Sequence, residues 1–293
     1  MVNPQLKSLY PWEGNTLAVD GGRLHYLDEG SGEVILAVHG NPTWSFYWRK
    51  LITSYADRYR VVIPDHIGCG LSDKPQEWPY QLAGHRDNLV RLIEHLDLHD
   101  ITLVVHDWGG AIGMAAAAKL PDRIRRLVIT NTAAFRSQSI PPSIASCRIP
   151  VFGSLAVRGL NGFARVATWR ASAKKLAPDV RDGLLMPYNS WANRIATLRF
   201  VEDIPLKSGH PSYAALTETE EGLAQFRDRP MLICWGDDDF CFTPEFREEW
   251  QERFPDAEVH AWADVGHYVM EDAGERMVEK MTDFLLRHPL EVT

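Results

Sequence analysis

The sequence predicts an α/β fold: a mostly parallel, doubly wound sheet with an inserted helical cap. Three observations predict it. Short apolar runs recur along the chain, and each is followed by a helix-like segment. One of these runs leads into a sharp, glycine-rich turn at Asp107. Between two of the runs, the stretch 136–213 carries no sheet-like pattern at all. Connections between strands and helices usually take only ~2–6 residues.

The elements follow in chain order. Leu17, Ala18 and Val19, then the Asp20-Gly21-Gly22 turn, then Leu24 to Leu27, read as a β-hairpin. The apolar runs 34–38, 60–63, 101–105, 127–130, 230–234 and 258–261 read as sheet strands. Among the intervening helices, 87–96 places Leu89, Leu92, Ile93 and Leu96 on one face. Segment 109–119 is so rich in Ala and Gly that it must pack close to the sheet. The last helix is expected at 275–287. Alternating strands and helices give a doubly wound sheet. The stretch 136–213 contains Phe152, Phe163, Trp169, Met186, Tyr188, Trp191 and Phe200, so it reads as folded. It is expected to be a helical cap at the carboxyl edge of the sheet, where open α/β sheets bind ligands. The core then comprises 1–135 and 214–293.

Composition bounds the partners. The chain has 293 residues, 31 Lys plus Arg and 39 Asp plus Glu, for a formal charge of −8. An acidic balance with no basic stripe argues against nucleic acid or an anionic membrane. Residues 1–14 hold no apolar signal core, and no run is long enough to span a bilayer. Cys69, Cys147, Cys234 and Cys241 show neither disulfide nor zinc spacing. A reducing cytoplasm is the expected compartment.

The chemistry concentrates in four places. Leu103-Val104-Val105-His106-Asp107-Trp108-Gly109-Gly110 is a strand, an elbow and a small-residue helix. This is the nucleophile turn of the α/β-hydrolase fold, with Asp where Ser is usual. A carboxylate there can attack carbon without a base to deprotonate it. A helix N-cap aspartate would not by itself require the whole elbow. His39-Gly40-Asn41-Pro42 follows the strand 34–38, where this fold places its oxyanion loop. The Asn41 side chain and the Trp108 indole offer two neutral donors for a departing anion. His267, in Val265-Gly266-His267-Tyr268, follows the last strand, where this fold places its base. His106 is a rival, expected to point away from the base's position. The acid that orients His267 is sought in Asp237-Asp238-Asp239, because no acid follows the run 127–130. Asp239 has the favoured spacing after Gly236. The chain order Asp107, Asp239, His267 is nucleophile, acid, base.

At these residues the sequence resembles the haloalkane dehalogenases. The similar segments are His39 to Ser45, Pro64 to Pro75, His106 to Gly110, and Gly266 to Tyr268. The resemblance implies Asp107 as nucleophile, His267 as base, Asp239 as acid and Asn41 with Trp108 as the halide pair. An acid after the later strand, with an Asn–Trp pair, resembles the third dehalogenase subfamily. The segments Tyr188 to Phe200, Asp203 to Leu206 and Asn131 to Phe135 also resemble the β-lactone decarboxylases of bacterial olefin biosynthesis. The first expectation is therefore hydrolytic dehalogenation through an alkyl-Asp107 ester, with no metal or organic cofactor. The alternative is decarboxylation of a β-lactone by the same nucleophile. An epoxide hydrolase would need cap tyrosines such as Tyr188 or Tyr213 as proton donors. A binding protein that has lost turnover would be expected to lack part of this set. The expected ligands are a small apolar substrate and halide, and the resemblance allows a homo-oligomer.

Overall fold

Alternation of side chains along each strand decides which core they enter. In the computed structural model, which describes residues 4–290, the run Val34–Val38 forms β3. Its Val34, Leu36 and Val38 enter one apolar cluster, and Ile35 and Ala37 enter another on the opposite face. Both faces of the sheet are therefore covered. Met1–Asn3 and Glu291–Thr293, which the sequence reading put at the ends of the core, lie outside the described residues.

Eight strands form one sheet. They are β1 (Asn15–Val19), β2 (Gly22–Glu29), β3, β4 (Arg60–Pro64), β5 (Ile101–Asp107), β6 (Ile124–Thr132), β7 (Met231–Gly236) and β8 (Glu258–Trp262). Their order is β1-β2-β4-β3-β5-β6-β7-β8. The expected hairpin is present, with Leu17 opposite Leu24, and β2 also pairs antiparallel with β4. All other neighbours are parallel.

Helices α1 (Pro4–Leu9), α2 (Arg49–Tyr55), α3 (Leu82–His95) and α4 (Trp108–Lys119) precede the cap region. Helices α5 (Pro142–Ser146), α6 (Gly162–Arg170), α7 (Pro178–Leu185) and α8 (Ile195–Glu202) lie within 136–213. The chain then returns through α9 (Tyr213–Gly222), α10 (Pro244–Arg253), α11 (Val269–Asp272) and α12 (Gly274–Arg287). Leu89 of α3, Met114 of α4 and Trp250 of α10 share the cluster of Leu36. Leu51 of α2 and Met281 of α12 share that of Ile35. Thus β3 and β5 are adjacent, yet the helices that follow them lie on opposite faces. The loops at their carboxyl ends therefore diverge there, at the crevice in which doubly wound sheets bind ligands.

The large apolar residues of 136–213 do not all turn inward. Ile195, Leu198 and Phe200 are buried, whereas Phe152, Trp169 and Trp191 are exposed. Helix α9 starts at Tyr213 and packs its Gly222 against Ala118 of α4.

Candidate active site

The strand β5 ends in a turn that only a few residue sequences can make. Asp107 has φ +51° and ψ −128°, a strained conformation for a residue with a side chain. The strain is held by packing on both sides. A Cβ at Gly109 would collide with the Val38 carbonyl, so α4 can start this close to β3 only with glycine there. The Thr132 hydroxyl donates to the Asp107 carbonyl and ties the turn to β6. The carboxylate is thereby lifted above the ends of β3 and β5.

The loop after β3 meets it. The Asn41 backbone N–H donates to Asp107 Oδ1 at 2.6 Å. Gly40 faces the same carboxylate, which any Cβ there would strike. The Trp108 backbone N–H also stabilises the Asp107 anion. Two backbone donors therefore act on the Asp107 carboxylate, in the manner of an oxyanion hole. Burial pushes the Asp107 carboxyl above its ordinary range, while the charge of His267 and these two N–H groups oppose the rise.

The loop after β8 supplies the histidine. His267 Nε2 lies 3.8 Å from Asp107 Oδ2, and His267 Nδ1 lies 2.8 Å from Asp239 Oδ2. Burial disfavours the charged ring, but Asp239 and then Asp107 outweigh it and raise the His267 pKa. Asp239 is the member of the three-aspartate run that reaches His267. Asp237 instead pairs with Arg247.

His106 departs from expectation. It does not point away from the base. Its ring lies 4.5 Å from that of His267, and its Nε2 meets the His267 carbonyl at 2.8 Å. A carbonyl accepts, so His106 Nε2 donates. Burial drives its pKa well down. His106 is a neutral prop under the loop that carries His267.

Asn131 is a residue that the sequence reading missed in this role. Its Nδ2 donates to Asp239 Oδ2 and to the Gly236 carbonyl, both at 2.9 Å, and its Oδ1 accepts from the Gly236 N–H. It clamps the end of β7 and the acid together from β6. The only signal in the sequence was a polar residue in the place where an acid was sought.

An apolar cavity of about 130 Å³ opens above Asp107. Asn41 and Trp108 line it, with Phe135, Phe163, Val201 and Phe242 among the apolar walls. The Asn41 side chain is shared with α8: its Nδ2 donates to the Thr197 carbonyl at 3.2 Å, which leaves one amide hydrogen uncommitted. The Trp108 ring leans on Phe200, with centroids 5.3 Å apart. Neither Tyr188 nor Tyr213 is among the lining residues. Tyr188 is buried and directs its hydroxyl to the Thr43 carbonyl. The two tyrosines that an epoxide hydrolase would use therefore do not border the Asp107 cavity.

A family model described as the alpha/beta hydrolase fold matches residues 33–274. The chain belongs to the α/β-hydrolase family. Within it, this α/β hydrolase is 44% identical to the cis-3-alkyl-4-alkyloxetan-2-one decarboxylase of Shewanella oneidensis, over 96% of this chain and 90% of that protein. It is 32% identical to haloalkane dehalogenase 2 of Mycobacterium tuberculosis, over 92% and 93% of the two chains. The crystal structure of haloalkane dehalogenase DatA from Agrobacterium tumefaciens superposes with a TM-score of 0.84. That match has 26% identity and covers 94% of this chain and 96% of that one. This α/β hydrolase is thus an enzyme related to both activities expected from its sequence. Among its described residues, no helix is long and apolar enough to cross a membrane.

Proposed function

We propose that the chain is a β-lactone decarboxylase that works through an alkyl ester on Asp107, with a cis-3,4-dialkyl oxetan-2-one as substrate. The observation that carries this reading is the 44% identity, over nearly the whole chain, to a decarboxylase of that substrate class. The sequence alone put dehalogenation first; the identity gap between the two relatives moves decarboxylation ahead. The geometry suits it. Asp107 Oδ1 accepts the Asn41 N–H, so Oδ2 is the attacking atom. It attacks the oxygen-bearing ring carbon from behind, the ring C–O bond breaks, and the ring oxygen leaves as a carboxylate. The Asn41 amide and the Trp108 indole N–H receive that carboxylate. The bond to the carboxyl carbon then breaks, and its electron pair forms the olefin. The C–O bond to Asp107 breaks in the same step and restores its carboxylate, while CO₂ departs. Inversion followed by departure from opposite sides keeps the alkyl groups cis. No water and no net proton are consumed. His267, oriented by Asp239, supplies positive charge beside Asp107 in this cycle.

The second reading is haloalkane hydrolysis, favoured by the Asn41–Trp108 donor pair and by the dehalogenase neighbours. There Asp107 displaces halide, and neutral His267 activates water against the ester carbonyl. Its oxyanion falls between the Asn41 and Trp108 backbone N–H groups. In both readings 136–213 acts as the cap over a core of 1–135 and 214–293. The reducing cytoplasm is the working compartment we infer, supported by four free cysteines.

One variant separates the readings. On a haloalkane, His267→Phe should release about one equivalent of halide per site and stop, with the alkyl mass on the Asp107 peptide. On a cis-3,4-dialkyl β-lactone the same variant should release olefin continuously. Wild-type halide release without olefin release would reject the decarboxylase. If the wild type turns over the haloalkane and the variant shows neither burst nor adduct, Asp107 is rejected as nucleophile.

A further inference from the structure

Charge is segregated along this chain. The net formal charge is −8, yet no Asp or Glu occurs between Asp122 and Asp179. The cap part of that interval carries Arg136, paired with Glu220, and Arg148, Arg158, Arg165, Arg170, Lys174 and Lys175. The same interval is rich in exposed apolar side chains. Eight of the ten exposed large apolar side chains among the described residues lie between Ile149 and Trp191. Val151, Leu160 and Trp169 are 71%, 75% and 80% exposed.

Helix α6 concentrates both properties. Its outer face presents Arg165, Val166, Trp169 and Arg170, while Ala164 and Thr168 are buried and Phe163 lines the Asp107 cavity. Between α6 and α7 lies a depression of about 830 Å³, bordered by Arg165, Trp169, Lys174, Lys175 and Arg181. The one acid on its border, Asp182, pairs with Arg181. The loop bearing the lysines is fixed from below. Asp272 accepts from the Ser172 hydroxyl and from the Ala173 and Lys174 N–H groups, and its carbonyl also accepts from Lys174 Nζ at 3.1 Å, so Lys175 and Arg165 are the outward cations of this rim.

A water-facing helix of a soluble protein ordinarily mixes both charge signs and avoids exposed tryptophan. Cations interleaved with protruding Trp, Leu and Val are instead what a lipid headgroup layer accepts. The rings and aliphatic side chains enter the acyl boundary, and the Lys and Arg tips remain among the phosphates. We propose that this face of the cap docks on a bilayer surface carrying anionic lipid, with α6 in the headgroup layer above the Asp107 cavity. The whole-chain charge argues the other way because it averages this patch with the acidic remainder. The proposal holds whichever leaving group Asp107 releases, since it rests on the outer face of the cap.

The test is co-sedimentation of the full chain with vesicles of phosphatidylcholine alone and with phosphatidylglycerol added. Binding is expected only with the anionic lipid, and to weaken as salt is raised. Lys175→Glu with Arg165→Glu should lower it at least about tenfold. Trp169→Ser should lower it as well, and Arg165→Gln, the mildest change, should lower it least. Turnover of a water-soluble substrate should be unchanged in all of them. No binding to either vesicle would overturn the proposal, as would equal binding to both. If Trp169→Ser shifts the protein alone to a smaller species in sedimentation, with no vesicle binding by the wild type, the face joins copies of the chain and the proposal fails.

Discussion

The Asn41 backbone N–H reaches Asp107 Oδ1 at 2.6 Å, which makes the two carboxylate oxygens unequal. Oδ1 is held by the backbone. Oδ2 faces His267 Nε2 at 3.8 Å, and the carboxylate borders the cavity.

Asp107→Ala removes the attacking atom and should abolish turnover of β-lactones and haloalkanes alike. Thermal unfolding should still show a folded protein, because the turn is also held by Gly109 and Thr132. Residual activity above about one per cent would place the nucleophile elsewhere, since loss of a true nucleophile costs several orders of magnitude.

Trp108→Phe keeps the ring against Phe200 and deletes the indole N–H. The chemical step should slow by ~10²-fold, as for loss of one anion-hole donor. Stopped-flow single turnovers would measure it. An unchanged rate would remove Trp108 from the leaving-group site.

The pH profile distinguishes the two readings by sign. Asp107 must be ionised in both, and burial raises its pKa. The acid limb should therefore lie above the ordinary carboxylate value of about 4. His267 is raised by Asp239 and Asp107. Hydrolysis needs neutral His267, so its rate should climb as pH rises through that raised pKa. Decarboxylation assisted by charged His267 should fall over the same interval. Measuring both substrates across neutral and alkaline pH gives opposite slopes if both assignments hold.

Asn131→Ala should cost about 2–4 kcal/mol of stability, because it strands the buried N–H and C=O of Gly236. It also frees Asp239, so kcat should fall with little change in KM. Denaturant unfolding and steady-state kinetics would test the two effects separately.

Burial raises the Asp203 carboxyl to about 7 against the help of Ser212 and the Leu82 N–H. Its folded pKa thus exceeds the unfolded value, and the folded state binds more protons between about pH 4 and pH 7. This group should make the protein less stable as pH rises through that window. The loss should be about 4 kcal/mol at 1.36 kcal/mol per unit. Asp203→Asn should flatten the decline in calorimetry. A variant that follows the wild-type slope would assign the decline to other groups.

The strands were legible because a buried parallel sheet needs continuous apolar runs, and 34–38 coincides with β3 residue for residue. Asp239 could be favoured over Asp237 and Asp238 because a turn of fixed length follows β7. What stayed hidden depends on contacts between distant segments. The ring of His106 is placed by the backbone of His267, 161 residues away. The clamp made by Asn131 needs β7 beside it, 105 residues later. Trp169 read as a mark of folded structure, and nothing local says on which side of α6 it stands.

The hydrogen bond from Asn41 to the Thr197 carbonyl has a consequence for aim. An amide is planar, so once one of its hydrogens is tethered the direction of the other is settled. Thr197 sits on α8, within 136–213, and Asn41 sits on the loop beside Asp107. Helix α8 therefore points the free N–H before any ligand arrives. A sub-ångström drift of α8 would swing that hydrogen off its target, so substitutions that never touch the ligand can change how firmly the departing anion is caught.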